Sequence, residues 1–592
     1  MFLLAVLSFL QMTVIPGYLV LSYSRLTLES KLQAVVYTFA LSVLMNYLLV
    51  YLLTVIKIYK PITIYIILSI EMLLLMYYRL RSAKTPGFCV DFKAPFDSFK
   101  KLSNSTSPLY MVAFLLSIVV IIQLFYIFIS QLEATFRLGD AIKGWNRFAL
   151  DWYQNRLPVN SWLYPQLIPA NWSLAYSIMR NPGIQAVARS IMPLFSIFTT
   201  FLFLDLGLRK KNAIYLWGLI CCGIIIFYLY PPVYIVDGLV DIPVAFFAFL
   251  SFYVLYLHHA ESPFPIKHAW LSVIFASAAA VTKQAGLYIL IIILAWIFRL
   301  LSRNRHSLPR KTIIKTTAVI LLIITVIVFS WYFYRMVLIT KGAGQSGIKA
   351  VTQDVHKNRA YVARLRFGFD KLIHAGGKKK SAAFYVSLAL ILIIFGLFPR
   401  DTRYVTLFIV IPFTLIWGLF YSYGYRNLTL AVPFMAFSMA AGTHWFFRTL
   451  FKKWERLPSL RLSFWHLLGF LIPLLIILNF TLFKPDKLID NQLAQQRLIG
   501  DVRLNKLLYD YYNKNGLKGK VFSKYPYFKH LPVLRDYWAP NREDQDVYYI
   551  IEDFKRPRED ITREIKRKLK TGEYTLLFSH SRYKFIKIKL EK

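Results

Sequence analysis

Five ionisable residues in or beside apolar stretches carry the chemistry this sequence offers: Asp140 in RLGDAIKGWNRF, Asp237 and Asp241 in YIVDGLVDIPVAFF, Lys283 in AVTKQAGLYI, and Arg426 in YSYGYRNLTL. Charges in such places cost insertion energy unless they bind or pair with something. A carboxylate can take a proton from a hydroxyl, and a lysine with an arginine can neutralise charge growing on a departing phosphate. Glycoside hydrolysis usually needs two carboxylates, one of them protonating a poor leaving group. A phosphate already leaves well, so one base and two cations suffice.

The residues around Asp140 add a second kind of chemistry. From Arg137 to Tyr176 the chain interleaves Trp145, Trp152, Tyr153, Trp162, Tyr164 and Trp172 with Asn146, Asn155, Asn160, Gln166 and Asn171. Aromatic faces beside amides suit a sugar, whose C–H faces stack and whose hydroxyls need donors and acceptors. An aromatic belt at headgroup level is the alternative, and it accounts for neither the amides nor the acid at the loop's start. Asp237 and Asp241 stand four apart and share a face if one helix runs through both. Beside Lys283, Gly286 marks a break where backbone can line a cavity; a lysine merely snorkelling to the interface is the plainer reading.

The elements that must position these residues are membrane helices. Of 592 residues 57% are hydrophobic and 17% aromatic, and the mean hydropathy is +0.48, which defines an all-α polytopic membrane protein. About fourteen apolar segments, beginning near Met1, Ala34, Pro61, Leu109, Ala188, Ala213, Val240, Ala269, Leu287, Ile313, Ala382, Val405, Leu428 and Phe464, are long enough or nearly so to cross a bilayer. The 71 Lys and Arg against 30 Asp and Glu give a formal charge of +41. They sit in loops between spans, so anionic lipid or a phosphate-bearing lipid is the expected partner and nucleic acid is not. Three cysteines, Cys89, Cys221 and Cys222, signal neither a disulfide framework nor a zinc site.

Placing the basic loops Arg79 to Lys101, Arg209 to Lys211, Arg299 to Lys315 and Arg448 to Arg461 in the cytoplasm predicts that both termini lie outside. All five ionisable residues then fall at the external ends of their helices. The external loops are 133–187 and 339–381; the second is basic, and either meets phosphate and anionic lipid or forms a solvated amphipathic surface helix. Three regions are expected: an N-terminal three-span module with a cytoplasmic linker over 1–108, a transmembrane catalytic domain over 109–483, and a small soluble α/β domain over 484–592. In the last, VFSKY, VYYIIEDF, YTLLFSH and KFIKIKL read as strands and Asp560 to Lys570 as a helix. No nucleotide-binding glycine motif occurs there.

Taken in order, these motifs resemble the GT-C fold of integral-membrane glycosyltransferases, and more specifically the superfamily of protein O-mannosyltransferases and lipid A aminoarabinose transferases. GDAIKGWNRFALDW resembles that family's loop-one acid and aromatic helix, YPQLIPANWSLAY its later loop-one segment, VDIPVAFF its acid-proline motif, TKQAGL its lysine-glycine motif and, more faintly, YRNLTLAVPFMAFSMAAG its arginine-bearing late span. The likeness covers roughly Leu109 to Gly442. It implies an inverting transferase that moves a sugar from a polyprenyl-phosphate donor to a hydroxyl of a lipid, glycan or protein on the extracytoplasmic side of the cytoplasmic membrane. Asp140 is the implied catalytic base, with Lys283 and Arg426 on the donor phosphate. Asp237, Asp241, Trp145, Asn146, Tyr164 and Gln166 are expected to bind the sugar or orient the other groups. No cofactor is implied; relatives often carry two adjacent acids where this chain has Asp140 alone, which leaves divalent metal open.

Two other classes fit parts of the pattern. A transporter or flippase of lipid-linked glycans also places ionisable residues within a helix bundle, but usually shows internal repeats and broken helices near the midplane. A transferase like the O-antigen ligases shares the external chemistry without needing a loop acid.

Overall fold

A computed structural model describes residues 1–24, 26, 28–81, 108–130, 136, 138, 140–158, 164–182, 184–230, 232–261, 264–304, 306–340, 359–375, 382–451, 520–523, 547–553, 567–580 and 583–589. The protein is an integral polytopic membrane protein whose apolar body is all-α. Nine helices among the described residues are long and apolar enough to cross a bilayer. In chain order the principal helices are α1 (Phe2–Ser24), α2 (Lys31–Val55), α3 (Pro61–Arg81), α4 (Pro108–Ser130), α5 (Arg147–Tyr153) and α6 (Leu167–Met179). They continue with α7 (Gln185–Lys210), α8 (Ala213–Leu229), α9 (Asp241–His258), α10 (Ile266–Thr282) and α11 (Gly286–Arg303). The last are α12 (Arg310–Val337), α13 (Tyr361–Ala375), α14 (Ala382–Phe395), α15 (Arg400–Tyr421) and α16 (Val432–Phe451). Thirteen of the fourteen apolar segments expected from the sequence coincide with these helices; the fourteenth, from Phe464, lies outside the described residues.

The core centres on α9. Every residue of that helix is buried, including Asp241 and His258 at its two ends, as befits a helix apolar all round in the middle of a bundle. Helices α7, α8 and α10 pack against it or its neighbours, whereas α3 leaves most of its surface exposed, as a helix facing lipid does. The first three helices contribute to the same apolar core. They hold the loop helix α6 by specific bonds: Asn171 Nδ2 donates to Val43 O at 2.9 Å, Tyr59 OH meets Ser173 Oγ at 3.0 Å, and Tyr65 OH donates to Ile178 O at 2.7 Å. Inside an apolar medium each such bond replaces an orphaned polar group, which fixes the register of the helices it joins.

Near the C-terminus a four-stranded sheet has the order β1-β2-β4-β3, with β1 (Lys520–Ser523), β2 (Val547–Asp553), β3 (Tyr574–His580) and β4 (Tyr583–Lys589). β1 and β2 run parallel and the other pairs antiparallel. These are the four segments whose aromatic and β-branched content marked them as strands. Of the helix expected over Asp560 to Lys570, residues 567–570 are described and are helical.

Candidate active site

At one end of the bundle four chain-distant segments meet. Asp241 opens α9 in its first turn, where the positive end of the helix dipole favours a carboxylate. Lys283 follows the last residue of α10 with an extended backbone, where free carbonyls favour a cation. Because α9 and α10 run antiparallel as neighbours, the start of one lies beside the end of the other. Lys283 Nζ stands 2.5 Å from Asp241 Oδ1 and also donates to Asn427 Oδ1 at 2.9 Å. The chain leaves Lys283 sharply, with Gly286 N–H bonding back to Lys283 O at 2.9 Å. Only glycine fits there, since a Cβ on Gly286 would lie 2.1 Å from Ala279 O.

Arg426 and Asn427 belong to the 3₁₀ turn Tyr425–Ala431 that precedes α16. Tyr230 OH donates to Arg426 O at 3.3 Å, Trp417 Nε1 to Gly424 O at 3.1 Å, and Asn427 Nδ2 to Tyr421 O at 3.2 Å. Held by its backbone in this way, Arg426 extends its guanidinium to Asp140, with Nη2 on Oδ2. Burial alone disfavours the Arg426 charge, but the carboxylates of Asp241 and Asp140 outweigh that effect and drive its pKa upward. It is a permanent cation. The sequence of charges is therefore Asp140, Arg426, Asp241, Lys283, alternating in sign and summing to zero.

Tyr164 lies beside this tetrad. Its ring packs on Trp145 with centroids 5.2 Å apart. Burial first, and then Tyr423 and the carboxylates of Asp241 and Asp140, push its phenol upward against the pull of Arg426. The hydroxyl is thus a neutral donor at any working pH.

The remaining expected site residues turn inward. Asn146 is fully buried and accepts from Tyr176 OH at 2.5 Å. Gln166, equally buried, accepts from Trp152 Nε1 at 3.2 Å and donates to Tyr164 O at 2.7 Å. Both amides bond to neighbouring loop residues, and Asn146 Nδ2 is buried with no hydrogen-bond partner among the described residues. Trp152 and Trp172 are core residues, while Asn160 and Trp162 lie outside the described residues. Asp237 does not share a helical face with Asp241, because a turn with Gly238 at φ +83° separates them. It joins Arg189 instead, Nε to Oδ1 at 3.2 Å, with both side chains enclosed.

Two participants escaped the sequence reading. Asn427 sits directly after Arg426, and an amide next to a cation at the start of an apolar span was the available signal. Arg189 stands alone inside an apolar run, which by itself marks a paired or functional residue. Of the long basic loop expected outside, residues 341–358 and 376–381 are outside the described residues, so Lys357 and Lys378 to Lys380 are not placed. Helix α13 from that loop packs against α15: a Cβ on Gly368 would meet Trp417 and Gly418 at 3.3–3.4 Å. Among the described residues, no group of three or more His, Cys, Asp or Glu is arranged to hold a metal ion.

Fold and site together define a polytopic membrane protein with a neutral, charge-alternating cluster at one end of its helices. Among solved structures the chain is similar to ArnT from Cupriavidus metallidurans bound to undecaprenyl phosphate, at 11% identity and a TM-score of 0.45, over 80% of this chain and 97% of that one. A likeness so distant carries no argument, and the functional reading rests on the cluster itself. No protein-family model matches the chain, and no curated protein does.

Proposed function

We propose that the protein is an inverting glycosyltransferase that takes a sugar from a polyprenyl-phosphate donor and passes it to an acceptor hydroxyl at the extracytoplasmic face. The observation that carries this reading is the tetrad: one exposed carboxylate, Asp140, and two cations, Arg426 and Lys283, at the same end of an apolar bundle. The isoprenoid chain of the donor would lie against the helices, and its phosphate would meet the cations.

In the reaction, Asp140 takes the proton of the acceptor hydroxyl, whose oxygen forms a bond to the anomeric carbon. The bond from that carbon to the phosphate oxygen breaks, and its electron pair leaves with the phosphate, which gains one negative charge. Arg426 and Lys283 stabilise that charge. Attack opposite the leaving group inverts the anomeric centre. Asp241 and Asn427 hold the Lys283 ammonium, and Tyr164 offers a neutral donor to a sugar hydroxyl.

The resting ion pair has a consequence for this scheme. In the resting structure Arg426 occupies the Asp140 carboxylate that would meet the acceptor hydroxyl. A donor phosphate competes for Arg426 and releases Asp140, so the base becomes competent after the donor has bound. Ordered kinetics with the donor first are expected.

The test uses the full chain in nanodiscs with a panel of radiolabelled polyprenyl-phosphate sugars and membrane-derived acceptors. Transfer by the wild type with inversion, and a loss of roughly 10²-fold to 10⁴-fold in Asp140→Asn with folding intact, supports the reading. Undiminished transfer in the variant removes Asp140 from the chemistry and favours a ligase-like enzyme. If a flux assay then detects movement of the lipid-linked sugar across the bilayer and no donor is consumed, the protein is a transporter.

A further inference from the structure

The fully buried pair Asp237 and Arg189 takes no part in the chemistry proposed above, yet it is tied to the residue that does. Leu138 N–H donates to Asp237 Oδ2, two residues before Asp140. Leu138 O accepts from Ile142 N at 3.0 Å, two residues after it. Asp140 is therefore bracketed by bonds on both sides of one residue, and the outer anchor of the bracket is the Asp237 carboxylate. Arg189 completes that anchor, its Nε lying 3.2 Å from Asp237 Oδ1 and 3.1 Å from Val236 O. One turn earlier in α7, Gln185 Oε1 accepts from Phe136 N at 3.2 Å.

The turn that carries Asp237 is shaped for the same purpose. Gly238 has φ +83°, and a Cβ there would come within 2.6 Å of Trp172 and 2.8 Å of Phe136. Phe136 fills that place, its ring 4.4 Å from Trp172. The entry to the loop is thus clamped by α7 on one side and by the Gly238 turn on the other, through both backbone amides and an aromatic wedge. Such an arrangement is costly for a mere loop start, because it keeps an arginine and an aspartate out of water.

We infer that Asp237, Arg189 and Gln185 form a positioning clamp that sets where Asp140 stands relative to Arg426. This rests on the reading of Asp140 as the base. The clamp acts on rate, because an acceptor hydroxyl must meet the carboxylate within hydrogen-bond reach. Misplacing a reacting group by about 1 Å costs on the order of 10²-fold. The clamp's bonds run to the backbone of Phe136, Leu138 and Val236, so the expected effect is on rate and not on donor affinity.

The test combines steady-state kinetics with hydrogen exchange of the segment 136–142 in nanodiscs. Asp237→Asn is expected to lower kcat by about 10²-fold with the donor KM unchanged, and to speed exchange at the Leu138 amide. Gln185→Ala leaves the buried ion pair whole and keeps the protein folded; a smaller fall in kcat of the same kind, with wild-type Tm, is expected. A raised donor KM with unchanged exchange in Asp237→Asn overturns the proposal and makes Asp237 a substrate contact. Unchanged kcat and exchange in Gln185→Ala overturn it as well. Should the wild type transfer no sugar from any donor, the reaction assigned to Asp140 fails, while the exchange data decide separately whether the clamp holds this segment.

Discussion

Helices α9 and α10 end in charged clusters at both extremities, and the two clusters are built on different terms. At the end opposite the tetrad, Asp205 accepts from Ser30 Oγ and Tyr253 OH and lies 2.8 Å from Arg209 Nε. Arg209 also binds Glu29 and donates to Gln33 Oε1 at 2.9 Å. His258 Nδ1, at the last residue of α9, lies 2.7 Å from Glu261. Asp205 and Arg209 are 3% and 15% exposed, and their bonds tie α2 to α7 and α9. At the tetrad, Asp140 and Arg426 are 58% and 36% exposed. The Asp205–Arg209 pair, its oxygens already occupied by donors and largely shut from water, holds helices together, while Glu29 at its rim is 51% exposed. A cluster whose charges still face solvent has capacity for a ligand.

The same substitution at both ends puts that contrast at risk most directly. Asp140→Asn is expected to remove roughly 10²-fold to 10⁴-fold of activity and to leave the melting temperature in place, because an exposed ion pair contributes little to stability. Asp205→Asn is expected to do the reverse. It removes the charge from a buried network at a cost of about 2–4 kcal/mol, reduced by Glu29, which still faces Arg209. The folded fraction should transfer sugar at the wild-type rate. Thermal unfolding in detergent and activity per folded molecule measure the two effects, and a crossed result would erase the distinction.

A second comparison concerns affinity. Arg426→Ala is expected to weaken binding of polyprenyl phosphate alone by about 10-fold to 10²-fold, the range for losing one charge-assisted bond of ~1.5–3 kcal/mol. Binding monitored by tryptophan fluorescence checks it. The same variant frees Asp140 from its resting partner, so the order of substrate addition should become random. Persistence of an ordered mechanism would show that release of the base is not what imposes the order.

Gly286→Ala probes whether the tetrad end also depends on backbone shape. The added methyl would strike Ala279 O at 2.1 Å, and moving it aside must shift the Lys283 turn. A loss of about 1–3 kcal/mol in stability is expected, together with a lower kcat, since Lys283 then leaves Asp241. If stability falls and kcat holds, the Lys283 ammonium reaches its place by side-chain freedom alone.

Much of this was legible in the sequence, and the remainder was not for definite reasons. Long apolar runs leave the backbone in lipid no alternative to helices, so their positions could be read directly. Asp140, Asp241, Lys283 and Arg426 stood out because charges at the edges of such runs need partners. The partners themselves were hidden, since Arg189 with Asp237 and Asn427 with Lys283 are separated by 48 and 144 positions; only packing brings them together. Asn146 and Gln166 pose a different difficulty. An amide that will bind a sugar and one that pins a loop are the same residue type in the same polar context, and burial alone separates them.

The smallest effect gives the finest discrimination, because it removes one hydroxyl at each end. Tyr253 donates to Asp205 from within the core, and Tyr253→Phe deletes that donor while Ser30 and Arg209 still face the carboxylate. A cost near 1 kcal/mol in stability and no change in turnover are expected. Tyr164 stands beside the tetrad, and its phenol is held neutral by burial and by the neighbouring carboxylates. Tyr164→Phe removes a donor that the sugar, not the fold, would use. It is expected to lower kcat/KM by about 2-fold to 10-fold, the equivalent of one neutral hydrogen bond, and to leave Tm unchanged. The pH profile should also stay as it is, because a phenol protonated throughout the working range contributes no titration to lose. A shifted pH optimum in Tyr164→Phe would instead make the tyrosine a participant in proton transfer and place part of the base's work beside Asp140.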